Sequence, residues 1–319
     1  MITGGSGFIG TNLVEHYRRA GWEVVNADVA PPRNPDHASY WRKLDILDGS
    51  AFRDLVRGVN PTVFVHLAAR TDLRGGTAGD YAANVDGVRN AIAAARATSN
   101  VESAIFASSM LVCALGYQPR RDDDYCPTTA YGRSKVEGET IVRREAGDAL
   151  PWLIVRPTSI WGPWFAEPYR DFFTAIQRGL YMHPRGVRVR RSYGFVYNSV
   201  FILDRLTQHA RGAAHRRTFY VADYEPVELR PWAEGIRAAL QAPRIRDVPL
   251  ALLRAGARVG DALKMAGLRN PPLSSFRLNN LLTDAVYDLE PTRELCGPLP
   301  CSTSDGIAAT AAWMRNHRQ

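Results

Sequence analysis

The sequence predicts an α/β protein, a doubly wound parallel sheet wrapped by helices on both faces and carrying a smaller, mostly helical cap. Three observations support this. Short β-branched runs alternate with longer amphipathic stretches through the first half of the chain. A glycine-rich turn, Thr3-Gly4-Gly5-Ser6-Gly7-Phe8-Ile9-Gly10, stands where a first strand gives way to a first helix. After Arg156 the alternation weakens into a stretch of aromatics, prolines and arginines.

In chain order, Met1 to Thr3 reads as the tail of a strand, Thr11 to Ala20 as a helix, Glu23 to Ala27 as a strand and Ala51 to Arg57 as a helix. Thr62 to Leu67 then gives a strand, Tyr81 to Ala97 a long helix, Ser103 to Ala107 a strand, Ala130 to Arg144 a helix and Trp152 to Arg156 a further strand. Right-handed crossovers between parallel strands place these helices on both faces. Trp161 to Arg191 reads as an insertion over the carboxyl edge. A strand at Gly194 to Tyr197 with a helix after it, and then Thr218 to Val221, are expected to rejoin the main sheet, and Trp232 onward supplies the cap. The expected division is 1–160 plus about 194–222 for the sheet domain, and 161–193 plus about 223–319 for the cap. A central strand usually runs about five or six residues. The short first strand therefore predicts a natural chain beginning upstream of Met1, and a form extended by about four apolar residues is expected to melt higher.

Composition narrows the function. At 319 residues, with 45% hydrophobic and 23% charged residues, the chain is ordinary globular material. No apolar run approaches a bilayer span, and the N-terminus reads as strand and glycine loop instead of signal peptide, so a cytoplasmic protein without membrane contact is expected. Cys113, Cys126, Cys296 and Cys301 lack metal-type spacing and read as reduced thiols; no metal is expected. The net charge of +8 comes almost wholly from arginine, since the only lysines are Lys43, Lys135 and Lys264. No nucleic-acid module accompanies it, and the dense run Arg185, Arg188, Arg190 and Arg191 suits either a solvated face or an anionic substrate.

In the glycine turn, Gly4 permits the tight bend, Gly7 lets the backbone approach a pyrophosphate and Gly10 lets helix and strand pack closely, with the helix N-terminus facing the phosphates. Asp28, at the end of the second strand, is placed to accept hydrogen bonds from a ribose diol. A carboxylate there favours NAD over NADP, while Arg33 keeps a 2′-phosphate possible. Tyr131 and Lys135 stand at i and i+4 on one helical face. A phenol is a poor base at neutral pH and needs a nearby positive charge, which Lys135 is expected to supply. Ser108 and Ser109 close a strand and point toward the carboxyl edge, where Ser109 can share a proton with a substrate oxygen and Tyr131.

These motifs resemble the extended short-chain dehydrogenase/reductases, a Rossmann-fold family, and within them the NAD-dependent nucleotide-sugar epimerase, dehydratase and reductase group. The resemblance runs along nearly the whole chain. It also rests on Asp45-Ile46, on His66-Leu67-Ala68-Ala69, on Asn84, on Arg156-Pro157 with Trp161-Gly162-Pro163, and on Leu282-Thr283-Asp284 through Leu295-Cys296-Gly297 to Trp313. It implies Ser109, Tyr131 and Lys135 as catalytic. NAD would be bound by Gly4, Gly7, Phe8, Ile9, Asp28, Asp45, Ile46, Leu67, Ala68, Ala69, Asn84, Tyr131, Lys135 and Thr158, with Asp45-Ile46 flanking the adenine. Substrate would meet Thr71, Ser109, Ser159, Arg185, Arg190 and Arg191. A homodimer through helices 81–97 and 130–144 is implied as well.

The departures are informative. Met110 and Leu111 replace the acid and base that sugar dehydratases use to expel water, so dehydration is not expected. Cys113 stands where relatives often have tyrosine, Asn198-Ser199 where many have an acidic pair, and Tyr193 where a phosphate-binding arginine is usual, unless Arg191 takes that task. The expected activity is NAD-dependent epimerisation of a nucleotide sugar through a transient ketone, at C4. The alternatives are a keto-sugar reductase, a dehydrogenase of a non-sugar alcohol and a non-catalytic dinucleotide sensor.

Overall fold

The computed structural model describes residues 1–166, 168–268 and 273–317. Its first half runs β1 (Ile2–Thr3), α1 (Phe8–Arg19), β2 (Asn26–Asp28), β3 (Trp41–Lys43), α2 (Gly49–Val59), β4 (Val63–His66), α3 (Ala82–Ala95), β5 (Ser103–Ala107), α4 (Ala130–Glu145) and β6 (Trp152–Pro157). The remainder runs β7 (Ser159–Trp161), α5 (Tyr169–Gln177), β8 (Met182–Pro184), β9 (Arg190–Arg191), β10 (Tyr193–Phe195), α6 (Val196–Thr207), β11 (Thr218–Val221), β12 (Val227–Glu228), α7 (Leu229–Ala239), β13 (Arg246–Val248), α8 (Leu250–Met265), α9 (Ser275–Leu282), α10 (Glu290–Cys296) and α11 (Thr303–Asn316).

The main sheet is seven-stranded and parallel, in the order β11-β6-β5-β4-β1-β2-β3. Alternate residues feed two cores. Phe64, Phe106 and Ile154 pack with Phe52, Val88 and Val142 under α2, α3 and α4. Val65, Ile105 and Leu153 pack with Leu13, Val14, Leu203 and Leu206 under α1 and α6. Both faces are covered, which is why these strands read as unbroken apolar runs.

Three expectations change. The polar edge strand β3 carried no apolar signal; it is held by pairing with β2, Asn26 opposite Trp41. Helix α1 starts at Phe8, ahead of the expected Thr11, because Gly7 already serves as its extended N-cap. The strand expected at 194–197 does not rejoin the main sheet. Tyr193–Phe195 pairs with β7 in a separate two-stranded sheet, and helix α6 begins at Val196. The sheet edge beside β6 is taken by β11, as expected of Thr218–Val221, and Val200, Leu203 and Leu206 bury one helical stripe on the sheet.

The cap core is aromatic: Trp161, Phe165, Phe173, Phe195 and Trp232 are buried together. Trp161 meets Trp232 edge-on at 5.5 Å between centroids. Helices α3 and α4 turn their apolar stripes onto the sheet and each other. Their outward positions are charged and linked by Arg89 to Asp86, Glu137 and Glu145. The four cysteines are free.

Candidate active site

The glycine turn is built as the dinucleotide reading requires. Gly4 has φ +72°, and a Cβ there would stand 2.6 Å from the Ala68 backbone nitrogen. A Cβ on Gly10 would meet the Gly4 carbonyl at 2.2 Å, so only glycine lets α1 approach β1 this closely. A Cβ on Gly7 would meet only the Gly4 carbonyl, at 3.1 Å. No side chain caps α1, which leaves its first N–H groups for a phosphate. Asp28 closes β2, its Oδ2 accepting from the Ser6 N–H at 3.1 Å and its Oδ1 from the Ala30 N–H at 3.0 Å. Each oxygen keeps a lone pair for a ribose hydroxyl. The residues present therefore fit NAD. Arg33 is committed elsewhere: its Nε donates to the Ser6 carbonyl at 3.2 Å and its Nη1 to the Trp164 carbonyl at 2.9 Å, tying the turn to the cap.

Other expected cofactor residues divide by what their polar atoms do. Phe8 and Ile9 open α1 and pack on the cap core, Phe8 lying 6.5 Å from Phe165 between ring centroids. Leu67, Ala68 and Ala69 follow β4, with the Leu67 N–H held by the Thr3 carbonyl. Asn84 is fully buried, and its amide is spent on Arg70 N–H, Arg70 C=O and Ser134 Oγ, so it braces the loop after β4. Thr158 donates to the Ser192 and Val221 carbonyls. Asp45 is exposed and caps the Leu47 N–H, whereas Ile46 is buried against Gly87 of α3.

The catalytic candidates meet at the carboxyl end of β5. Ser109 follows that strand, with its Oγ accepting from the Leu111 N–H at 3.1 Å. Thr129 caps α4 through the Gly132 N–H, which fixes Tyr131 in the first turn. Its ring packs on Tyr81 at 6.0 Å. Lys135, 6% exposed, donates from Nζ to the Ala107 carbonyl at 2.9 Å. Burial pushes the Tyr131 phenol up to about 12, with the neighbouring Ser109 hydroxyl acting in the other direction. The depression expected from Lys135 is thus not met in the protein alone, because desolvation of the ring dominates.

Lys135 itself is lowered to about 8 by burial, with Glu139 opposing. A lysine whose folded pKa lies below its unfolded value binds fewer protons when folded. It therefore costs most below pH 8, and the cost is relieved as pH rises through about 8 toward 10.5. Lys135→Met should flatten the difference in unfolding free energy between pH 7 and 10 by on the order of 3 kcal/mol, read from denaturant titrations of both proteins.

The three expected substrate arginines part company. Arg185 and Arg190 are exposed. The Arg190 N–H is held by Asp284 at 2.8 Å, and the Arg185 N–H by the Val248 carbonyl at 2.9 Å. Arg191 is 7% exposed, with its Nη2 on the Asn280 carbonyl and its Nε without a partner among the described residues. Its charge acts on the buried phenols of Tyr169, Tyr193 and Tyr287. Ser159 lies buried beside Tyr169, while Thr71 is exposed.

Sequence reasoning missed the brace behind the site. Arg156 and Glu139 are each 1% exposed and form a bidentate pair, Nε to Oε1 and Nη2 to Oε2, both 2.8 Å. Tyr125 adds a hydrogen bond to Glu139 at 2.9 Å. The available signal was spacing: Tyr131, Lys135 and Glu139 stand at i, i+4 and i+8 on one face of α4.

A glycine turn at an uncapped helix start, a carboxylate closing β2 and a serine-tyrosine-lysine cluster at one sheet edge fit an NAD-dependent enzyme of the extended short-chain dehydrogenase/reductase type, which the chain is. The chain belongs to the NAD dependent epimerase/dehydratase family, whose model matches residues 1–222, and its cofactor is NAD. It is 26% identical to a 3-beta-hydroxysteroid dehydrogenase of Mycolicibacterium neoaurum, over 97% of this chain and 89% of that protein. It is 26% identical to the UDP-glucose 4-epimerase of Vibrio cholerae, over 76% of each. The structure of a putative epimerase from Burkholderia cenocepacia superposes with TM-score 0.78 at 21% identity, covering 99% of this chain and 97% of that one.

Proposed function

We propose that the chain epimerises a nucleotide sugar, oxidising one ring carbinol, C4, to a ketone and reducing it from the opposite face. Bound NAD supplies the hydride acceptor and donor. Tyr131 takes the hydroxyl proton as the carbon is oxidised and gives it back on reduction; Ser109 donates to the same oxygen. Lys135, anchored on the Ala107 carbonyl, keeps its charge on the Tyr131 face of α4. The observation that carries the substrate assignment is Arg191, a buried guanidinium whose Nε has no partner among the described residues, as an anionic substrate group requires.

A second reading, dehydrogenation of a non-sugar ring alcohol, is favoured by the aromatic wall. Tyr193 lies 4.4 Å from Trp232 between centroids, and only one of the three expected arginines is buried. Both readings are tested by incubating purified protein with UDP-glucose, UDP-galactose and their N-acetyl forms without added cofactor, and separately with NAD and a 3β-hydroxysteroid. Interconverted sugars support epimerisation. Reduction of NAD with the steroid alone overturns it.

Asp28→Asn should weaken NAD binding by about tenfold and narrow the preference over NADP, since the repulsion of a 2′-phosphate is removed. Fluorescence titration with both nucleotides reads this. A homodimer through helices 81–97 and 130–144 belongs to the same proposal and would meet across the charged outer face. Light scattering should give twice the chain mass, falling in high salt; a monomer at all ionic strengths overturns it.

A further inference from the structure

Helix α8 has two apolar faces, and the fold uses one. Leu253 and Ala257 are buried and pack with Leu278 of α9, and Gly260 is buried as well. On the other side Leu252, Val259 and Leu263 are 62%, 60% and 45% exposed. With Ala255, Ala262 and Ala266 they fall on one stripe at i, i+3, i+7, i+10, i+11 and i+14, and all of these alanines are exposed too. Met265 at 85%, Leu268 at 47% and Phe276 at 59% extend the apolar patch around the hairpin.

Helix α8 and the strand before it are rich in basic residues. Arg244, Arg246, Arg254, Arg258 and Lys264 are all exposed. The two carboxylates within 244–268 are already engaged: Asp247 pairs with Arg230 at 2.8 Å, and Asp261 accepts from the Ser275 N–H at 3.1 Å.

We propose that the α8–α9 hairpin docks on an anionic phospholipid surface, with its apolar stripe in the headgroup–acyl boundary and its arginines among the phosphates. Charge complementarity selects this occupant. A second copy of the chain, paired about a two-fold axis, would bring the same excess of basic residues and no free carboxylate in the hairpin to answer them. A phosphate-rich plane answers all of them at once. No helix of the described residues is long and apolar enough to cross a membrane, so the hairpin lies on the surface. A sequence without spanning runs can still carry a helix that lies in the interface.

The test is flotation of the whole protein with vesicles of phosphatidylglycerol or phosphatidylcholine. Wild type should float with phosphatidylglycerol in 0.1 M salt, several-fold less in 0.5 M salt, and weakly with phosphatidylcholine. The triple variant Leu252→Ser, Val259→Ser, Leu263→Ser keeps the net charge and the buried face; its vesicle binding should fall by at least about tenfold with melting unchanged. Arg254→Gln with Arg258→Gln should lower binding several-fold. Wild type that stays below the phosphatidylglycerol vesicles, or a serine variant that floats equally well, overturns the proposal. So does a dimer that the serine variant splits in the absence of vesicle binding, since the patch is then a self-interface.

Discussion

Tyr131→Phe should lower turnover by about 10³-fold, within the span expected for loss of a general acid–base group. The ring stays, so its contact with Tyr81 survives and melting should hardly move. Isothermal titration with NAD should give an affinity near wild type. Since the phenol is raised to about 12 by burial, the wild-type rate of alcohol oxidation should climb with pH across the alkaline range, as the basic form becomes available. A phenylalanine variant that keeps a tenth or more of wild-type turnover would assign the proton transfer to another group.

Arg156→Ala should be the most damaging single change outside the catalytic cluster. It strands the Glu139 carboxylate, 1% exposed, with Tyr125 and the longer 3.4 Å contact to Arg143 as its remaining partners. Removing one member of a buried pair typically costs about 3–5 kcal/mol. Arg156 also packs between the rings of Tyr125 and Tyr220, at 5.6 and 5.5 Å, so contact is lost with the charge. Calorimetry should show the single variant melting roughly 10 °C lower. The pair Arg156→Met with Glu139→Leu should recover much of that loss, because no buried charge is left alone. A single variant melting within about 2 °C of wild type would mean that water or a neighbouring cation answers Glu139.

What was legible in the sequence was local or periodic. The strand at Ser103–Ala107 has the predicted limits because its apolar run is bounded by polar and small residues. The glycine turn and the Tyr131–Lys135 spacing are likewise backbone and helix geometry, which neighbours in the chain dictate. The edge strand β3 was illegible for the opposite reason: Trp41-Arg42-Lys43 has no apolar alternation, and its conformation comes from the ladder offered by β2. The misassigned strand at 194–197 failed because pairing is a competition, and β11 occupied the edge it needed.

Sequence alone determined the sheet order's raw material, the dinucleotide turn and the identity of the phenol and ammonium, since each depends on residues within a few positions of one another. The tertiary structure decided which of the three arginines is buried, that burial instead of Lys135 controls the Tyr131 pKa, and that one face of α8 is left bare. Those properties depend on solvent exclusion by elements distant in the chain, and desolvation has no signature in local order.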